Sequence, residues 1–335
     1  MTTHAYCTYF DSGYLSRGLA LIESLRANGD EAEVWIMALD DAVYDYFTQA
    51  GLENVTVISV SELEAAEPAL ATVKPERSRM EYYFTCTPLL IRFVMNRHET
   101  PTSVIYLDAD MYFFDRPSLV LDAMGDGSVG IIEHRYPPRL EKRLAKYGRF
   151  NVGWVGFAAD ERGRDCLDWW AASTLEWCFD IPLDGKYADQ GYLDAFPEKF
   201  DGVSILAPLG LDLAPWNSAR FTLSLTQGAV HVDDDPLVFF HFHGLKRLRS
   251  WYITSQLVYG AWMTTILRDE VYVPYARRLE ALDRVVAASP YVSATQTASR
   301  GKGFRGLLFR AQKSVIALLT VATGNAISVR RLDRP

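Results

Sequence analysis

The 335-residue sequence lacks several features that would place it in a common class of protein. Its four cysteines form no C-x-x-C pair, so neither a zinc ribbon nor a disulfide framework is indicated, and a reducing cytosol is the simpler environment. The amino terminus has no basic segment followed by an apolar one, so no secretory signal is visible. The apolar run VIALLTVA is shorter than the ~20 residues that a membrane-spanning helix needs. We therefore expect a soluble or peripheral protein.

An excess of basic residues is also missing. The formal net charge is -8 and the pI is near 5.3, which argues against a nucleic-acid-binding protein, because phosphate recognition needs clustered Lys and Arg. This average hides an asymmetry, since residues 296–335 contain eight basic residues and one acidic residue, whereas the other 295 residues carry a net charge of -15. A body and a tail of opposite charge indicate different partners.

The familiar loops that bind phosphate are absent as well. No G-x-G-x-x-G follows the first strand-like segment, so a Rossmann dehydrogenase is not indicated, and no G-x-x-x-x-G-K-[ST] loop is present. Internal repeats and low-complexity segments are not found either.

What the first half does contain is an alternation of strand-like and helix-like segments. In order these are HAYCTYF (strand), SRGLALIESLRANG (helix), EVWIMAL (strand), DAVYDYFTQAG (helix), VTVISV (strand), TPLLIRFVMNRH (helix, with Pro near its start) and SVIYLDAD (strand). Such alternation predicts an α/β fold with a mostly parallel sheet flanked by helices.

The second half is less regular. SVGIIEH and RFNVGWVGF are strand-like, and GRDCLDWWAASTLEWC is helix-like. DQGYLDAFPEKF is a short helix that follows a loop, and AVHVDDDPLVFFHFHG holds two strand-like pieces around an acidic turn. From RSWYITSQLVYGAWMTTIL onward the pattern predicts a mostly helical chain. We divide the sequence into a catalytic domain (residues 1–265) and a helical, basic carboxyl-terminal extension (residues 266–335).

Two aspartates, Asp108 and Asp110, end the fourth strand-like segment. Ligands of open α/β sheets bind beyond the carboxyl ends of the strands, so both carboxylates lie where a ligand is expected. Leaving them unpaired in apolar surroundings would be costly, and Mg2+ or Mn2+ suits two carboxylates together with phosphate oxygens. The structural alternative is that both simply cap the following loop.

Four short blocks, YLDADMYFF, FNVGWVGF, YADQGYLDAF and FHFHG, occur in this order along the chain. In this respect the sequence resembles the metal-dependent, nucleotide-sugar-dependent glycosyltransferases of the GT-A fold. It is most similar to the retaining group that contains glycogenin and the bacterial lipopolysaccharide galactosyltransferases. The resemblance covers roughly Ala5 to Trp251, and four blocks in register are far more specific than any one of them.

The resemblance implies a metal site. Asp108 and Asp110 match the D-x-D that holds Mn2+ or Mg2+ against the donor diphosphate, and His241 matches the histidine that completes the ligand set. Gly244 would permit close approach of the diphosphate. A core histidine is the alternative for His241, and His243 has the same side-chain parity on the strand.

The resemblance also implies contacts with the donor nucleotide. Lys246 or Arg247 would contact phosphate, although the Pro-Trp pair that follows this lysine in the family is missing here. Thr8, Asp11 and Tyr14 follow the first strand, where the family binds uridine, and Tyr14 could stack on the base.

Further residues would bind the two sugars. Asp189 and Gln190 lie in the block near the anomeric carbon, where the resemblance implies that they are the catalytic residues, binding sugar hydroxyls and stabilising an oxocarbenium-like transition state. The alternative for Asp189 is a helix N-cap. Asn151 and Gly153 would face a sugar or form an Asn-x-Gly turn. The remaining pair, Trp216 and Asn217, would form part of the acceptor side, although Trp is equally often a core anchor.

These roles imply a glycosyltransferase that moves a hexose or N-acetylhexosamine from a UDP-sugar to a glycan or lipid-linked glycan, in assembly of a bacterial surface glycan. Retention of configuration follows the nearest family, and an inverting enzyme stays open. Phosphatases that use a strand-end D-x-D generally continue the motif differently and place it near the start of the domain. A sugar-nucleotide sensor without catalysis also stays open.

The tail segment FRGLLFRAQKSVIALLTVAT predicts a basic amphipathic helix. Such a helix can lie on an anionic membrane, which would suit a cytoplasmic protein bound to the inner face of the cell membrane. Packing on the catalytic domain or on a partner subunit is the alternative.

Overall fold

The structure is a computed structural model that describes residues 4–98, 101–290, 315 and 317–332. Its strands are β1 (His4–Phe10), β2 (Glu33–Ala38), β3 (Val55–Ser59), β4 (Ser103–Leu107), β5 (Met111–Phe113), β6 (Val129–Glu133), β7 (Phe150–Ala158), β8 (Val203–Ile205), β9 (Leu223–Thr226), β10 (Ala229–Val232), β11 (Asp235–Pro236), β12 (Phe239–His241), β13 (Lys246–Leu248), β14 (Trp251–Ile253) and β15 (Ala326–Ser328). The α-helices before residue 290 are α1 (Leu15–Ala27), α2 (Asp41–Ala50), α3 (Val60–Ala66), α4 (Ala69–Val73), α5 (Arg79–Arg97), α6 (Ser118–Met124), α7 (Leu144–Tyr147), α8 (Glu161–Glu176), α9 (Phe196–Lys199) and α10 (Val273–Ala288).

A seven-stranded sheet in the order β3-β2-β1-β4-β7-β6-β8 forms the centre of the molecule. The pairs β1–β2, β2–β3, β1–β4 and β6–β8 are parallel, whereas β7 runs antiparallel to both of its neighbours. β4 and β7 are continuous apolar runs and are buried along nearly their whole length, as strands covered on both faces should be. The predicted α/β fold with a mostly parallel sheet is confirmed.

Helices cover both faces of this sheet. On one face α1 packs against α10, and Leu21, Leu25 and Leu279 are buried there. On the other face α5 packs against α8 around Leu90 and Trp170. Each large apolar side chain buried in this way contributes about 1.5–3 kcal/mol relative to an exposed one. Packing on both faces leaves the carboxyl ends of the strands as the accessible edge of the sheet.

The helix expected at TPLLIRFVMNRH begins earlier than the sequence predicts. α5 begins at Arg79, because the side chain of Ser78 accepts a hydrogen bond from the Glu81 amide and Glu81 caps Ser78 in return. Placing Pro88 near the helix start was therefore wrong, since it lies inside the helix and removes one backbone hydrogen bond there. The residues on both sides of this proline are buried, so tertiary packing outweighs the lost bond.

The chain after Ser250 is less helical than predicted. β14 pairs antiparallel with β13 on one side and with β15 on the other, so Trp251–Ile253 is a strand whose partner comes from the end of the described chain. The helical part of the extension is confirmed by α10, where Arg278 forms an ion pair with Glu23 of α1. The domain boundary after residue 265 stays a prediction.

Most of the predicted tail helix lies outside the described residues. Residues 317–322 are helical, and Leu318 and Leu319 expose 70% and 54% of their surface. Within the described part of the chain, no helix combines the length and the apolar composition needed to cross a bilayer.

Candidate functional site

The turn after β4 positions the two aspartates. The amide of Asp108 donates a hydrogen bond to the Gly153 carbonyl of β7 at 2.8 Å. The amide of Met111 donates to the Asp108 carbonyl at 3.1 Å. The Tyr106 hydroxyl donates to Asp108 Oδ1 at 2.9 Å. β5 starts immediately afterwards, so the two carboxylates are held on a tight turn between two strands at the edge of the sheet.

β12 brings the predicted histidine to the same place. It pairs antiparallel with β5, with His241 opposite Met111, and the amide of Phe242 donates to the Asp110 carbonyl at 2.9 Å. His241 Nε2 lies 3.1 Å from Asp110 Oδ1 and 3.5 Å from Asp108 Oδ2. Asp108, Asp110 and His241 are called the carboxylate–histidine cluster below.

The carboxylate–histidine cluster fits a divalent cation. Its three ligand atoms lie within 4.8 Å of one another, and it is the one group of this kind found among the described residues. Two hard carboxylate oxygens and an imidazole nitrogen suit Mn2+ or Mg2+ when phosphate oxygens complete the ligand set.

The side chains of the carboxylate–histidine cluster shift one another's pKa values. Burial disfavours ionisation of Asp110, but His241 outweighs it and lowers the pKa of this carboxyl to about 2. Burial dominates at Asp108 and raises its pKa. For His241, burial opposes the charged form, yet Asp110 and the neighbouring carboxylates raise the pKa well above its usual range. The His241 imidazole and the Asp110 carboxylate therefore favour each other's charged form.

Gly153 leaves the space that His241 occupies. A Cβ added at this position would lie 2.6 Å from Asn151 Oδ1 and 2.8 Å from both Nδ1 and Cε1 of the His241 ring. The predicted turn role of the Asn-x-Gly pair is replaced by a strand position, since both residues belong to β7. The glycine is required because the imidazole packs directly on the backbone of β7.

A cavity of about 330 Å³ opens beside the cluster. Several of the residues that line it are aromatic, and we call four of them the aromatic wall (Tyr136, Tyr147, Trp216 and Tyr259). The predicted residues that line the cavity are Asp108, Asn151, Gly153, Asp189, Gln190, Trp216 and His241. The fold thus brings segments that are far apart in the sequence around one space.

An amide network holds one side of the cavity. Gln190 Nε2 donates to the Tyr147 carbonyl at 2.7 Å, which turns its Oε1 toward the Asn151 amide and the Val152 N–H, each at 3.3 Å. Asn151 Oδ1 accepts from the Gly153 amide at 2.8 Å. Both amide side chains are therefore oriented before any ligand arrives.

Asp189 lies beside Gln190 on the same side of the cavity and is only 4% exposed. Burial raises the pKa of its carboxyl to about 7, against a hydrogen bond from Thr87 that favours the ionised form. The residue precedes a 3-10 helix (Gln190–Ala195), but its side chain makes no capping hydrogen bond to that helix. The residue lines the cavity, and the backbone amides of Asp189 and Gln190 also favour its ionised form.

Replacing Asp189 with Asn is expected to stabilise the protein by up to about 4 kcal/mol near pH 8, at about 1.4 kcal/mol per pKa unit. The folded-state pKa is about 7, above the value of about 4 for an aspartate in an unfolded chain, so the folded state binds the extra proton between these values. Wild-type stability is therefore lost as the pH rises through this window, and the amide removes the penalty. Thermal unfolding at several pH values measures the effect. A variant that is less stable than wild type at the alkaline end contradicts the raised pKa.

Trp216 and Asn217 occupy different environments. Trp216 packs edge-on against His241 with ring centroids 5.0 Å apart, and its Nε1–H has no hydrogen-bond partner among the described residues. Asn217 is fully buried, accepts from the Ala214 amide and donates to the carbonyls of Asp212 and His134. Its amide holds the loop that carries Trp216, so contact with an acceptor is not supported by its surroundings.

The predicted nucleotide residues lie outside the cavity lining. Thr8 is buried, and its hydroxyl has no hydrogen-bond partner within the described part of the chain, whereas Asp11 pairs with Arg79 at 3.1 Å. Tyr14 is 40% exposed, and its ring lies 4.5 Å from the Arg17 guanidinium. The negative charge of Asp110, with burial, raises the pKa of Tyr14 to about 12. Tyr14 therefore stands near the cluster without lining the cavity.

The two basic candidates after β12 differ in their surroundings. Lys246 is exposed on β13, whereas Arg247 pairs with Glu280 of α10 at 2.5 Å. Gly244 lies between His241 and Lys246 and has a left-handed φ of 73°, a conformation that favours glycine. The guanidinium of Arg247 is thus already engaged by a carboxylate.

Sequence reasoning missed Asp212. Its carboxylate is 1% exposed, and Oδ1 lies 3.6 Å from Nδ1 of His241. Burial raises its pKa. A single aspartate in an irregular loop carries no sequence pattern, so only the fold reveals it.

Comparison with known proteins places the chain in a family. No protein-family model matches it. The uncharacterized protein YfnF of Bacillus subtilis (strain 168) is 30% identical over 251 residues, which cover 73% of this chain and 82% of YfnF. This chain belongs to the YfnF family. YfnD of the same organism is 26% identical over 299 residues, which cover 87% of this chain and 93% of YfnD.

A solved structure with the same fold is that of the galactosyltransferase LgtC in complex with donor and acceptor sugar analogs. It matches this YfnF-family chain with a TM-score of 0.50 and 15% identity, over 87% of this chain and 98% of LgtC. At this identity the likeness concerns the fold. The GT-A fold expected from the four blocks is confirmed.

Proposed function

We propose that this YfnF-family chain is a metal-dependent glycosyltransferase that moves a hexose or N-acetylhexosamine from a UDP-sugar to a glycan or lipid-linked glycan, with retention of configuration. The observation that carries the proposal is the convergence of the carboxylate–histidine cluster and the cavity at the edge of a GT-A sheet. LgtC, which shares the fold, is a galactosyltransferase solved with donor and acceptor sugar analogs.

Asp108, Asp110 and His241 would hold Mn2+ or Mg2+ at the cluster. The bound ion supplies neutralisation of the negative charge that develops on a departing diphosphate. The protein positions these side chains in advance. The turn after β4, strand β12 and Gly153 hold their ligand atoms within 4.8 Å of one another. Lys246, beyond Gly244, would add a positive charge for the diphosphate.

The amide network of Asn151 and Gln190 supports a role in orienting the donor sugar. Their side chains are held by Tyr147 and the β7 backbone, so a sugar hydroxyl would meet groups whose direction is already set. Asp189 would accept a hydrogen bond from a sugar hydroxyl at the base of the cavity when it is ionised.

The aromatic wall supports binding of the acceptor sugar. Its rings line the cavity and can pack against the apolar face of a sugar ring. In a retaining transfer the departing phosphate oxygen takes the acceptor proton, so no separate carboxylate base is needed. The anomeric configuration of the product, measured by NMR, tests this part of the proposal.

Thermal-shift measurements against a panel of nucleotide sugars, with and without Mn2+, test the function. We expect one UDP-sugar to raise the melting temperature only with Mn2+, by several degrees when it is present at about 100 times its Kd. Release of UDP in the presence of candidate acceptors then measures turnover. Stabilisation without turnover would favour a sensor, and hydrolysis of a phosphomonoester without nucleotide would favour a phosphatase.

We further propose that the basic tail contacts anionic membrane. Exposed Leu318 and Leu319 beside the positively charged segment support this contact. The protein should cosediment with phosphatidylserine-containing vesicles. Replacing the basic residues between 300 and 313 with Gln should release it, and unchanged cosedimentation would contradict the proposal.

A further inference from the structure

The loop before β9 places a buried carboxylate behind the imidazole of His241. Asp212 is 1% exposed, its Oδ1 lies 3.6 Å from His241 Nδ1, and neither oxygen has a hydrogen-bond partner among the described residues. His241 Nδ1 likewise has none. Unpartnered carboxylate oxygens are rare in a protein interior because burying them is costly, so this one needs an explanation.

The surrounding chain holds Asp212 in this position. Its backbone adopts a left-handed φ of 59°, which is uncommon for a residue other than glycine. Asn217 Nδ2 donates to the Asp212 carbonyl at 2.9 Å, and the His241 amide donates to the Leu213 carbonyl at 2.9 Å. The loop and β12 are therefore tied together on both sides of the carboxylate.

The buried guanidinium of Arg135 does not neutralise this carboxylate through a hydrogen bond. Arg135 influences Asp212 electrostatically, but its guanidinium donates to backbone carbonyls, including those of Leu206 and Leu211 at 2.6 and 2.9 Å. The group that faces Asp212 is the Nδ1 side of the imidazole. The Nε2 side of the same ring faces Asp108 and Asp110.

We propose that Asp212 is a positioning residue that accepts the Nδ1–H of His241 and thereby keeps Nε2 free and aimed at the divalent cation. This inference rests on the metal-dependent function proposed above. The distance of 3.6 Å is slightly longer than a hydrogen bond, so a small rotation of the ring is sufficient to form one. A carboxylate behind a histidine ligand sets its tautomer and increases its basicity as a ligand.

The test uses the full chain with Asp212→Ala and Asp212→Asn. We expect the Kd for Mn2+, from the EPR signal of the free ion, to rise about 10–100-fold in Asp212→Ala. A smaller rise is expected in Asp212→Asn, whose amide oxygen still accepts. In the presence of Mg2+, 15N spectra of the histidines should show an Nδ1–H tautomer for His241 in wild type that is lost in Asp212→Ala.

A matched control comes from a second buried aspartate–histidine pair. Asp30 lies 3.0 Å from His4 at the opposite end of β1. Asp30→Asn should leave the Mn2+ affinity unchanged. Asp212→Asn keeps the size of the side chain and an acceptor oxygen, so this variant should unfold without metal at a temperature close to that of wild type.

Two results would overturn the inference. One is wild-type Mn2+ affinity in Asp212→Ala, and the other is an affinity loss matched by an equal loss of metal-free stability, which would assign Asp212 to folding. A wild-type protein that binds no Mn2+ would instead overturn the proposed function itself. The two failures are thus distinguishable.

Discussion

Replacing Asp110 with Ala is expected to abolish Mn2+ binding and to lower metal-dependent sugar transfer at least about 1000-fold, which corresponds to about 4 kcal/mol of transition-state stabilisation. Asp110 Oδ1 lies 3.1 Å from His241 Nε2, and the imidazole lowers the pKa of this carboxyl, which favours the ionised form that binds a cation. Mn2+ titration followed by EPR and initial rates of UDP release measure the two effects.

The control for this variant is Asp122→Ala. Asp122 is exposed on α6 and has no part in the carboxylate–histidine cluster. It should bind Mn2+ and transfer sugar like wild type, and Asp110→Ala should keep the circular dichroism of the wild-type fold. Undiminished transfer by Asp110→Ala would refute the role assigned to this residue.

Replacing Gly153 with Ala is expected to weaken Mn2+ binding by more than about 100-fold and to destabilise the fold by about 1–3 kcal/mol. The added Cβ would lie 2.8 Å from Nδ1 of the His241 ring and 2.6 Å from Asn151 Oδ1. These contacts are too short for real Cβ atoms, so the ring must move away from the position in which Nε2 meets the two carboxylates. Mn2+ titration and urea unfolding measure the changes.

Gly156 of the same strand provides a matched comparison. Its added Cβ would meet the Trp154 ring at 2.9 Å, on core side chains and not on the cluster. Gly156→Ala should therefore lose stability while keeping Mn2+ affinity. Equal loss of Mn2+ affinity in both variants would show that the Gly153 effect comes from general destabilisation.

The sheet could be predicted from the sequence because the patterns that indicate its strands and helices are local. Alternating apolar strands and amphipathic helices define the order β1 to β4 without reference to distant residues. Helix α5 is different, because Pro88 argues against a helix interior while burial of its neighbours overrides that preference. The strand at Trp251–Ile253 was missed for a related reason, since its partner β15 lies at the far end of the chain.

Some residues of the site could likewise be predicted from the sequence, and others could not. Asp108, Asp110 and His241 were predicted from blocks of sequence, and the fold brings them within ligand distance. No block of sequence indicated the buried surroundings of Asn217 or of Asp212. Each is a polar residue in an irregular loop, and its role follows from neighbours that are distant in the sequence.

By itself, the sequence determined the layered α/β architecture and the residue types available to hold a cation, because strand periodicity and short motifs act over a few residues. Only the tertiary structure decided which of those residues face one another, that Gly153 makes room for an imidazole, and that a lone buried aspartate stands behind it. These features depend on packing between segments far apart in the chain, and the free energy of such packing leaves no local pattern in the sequence.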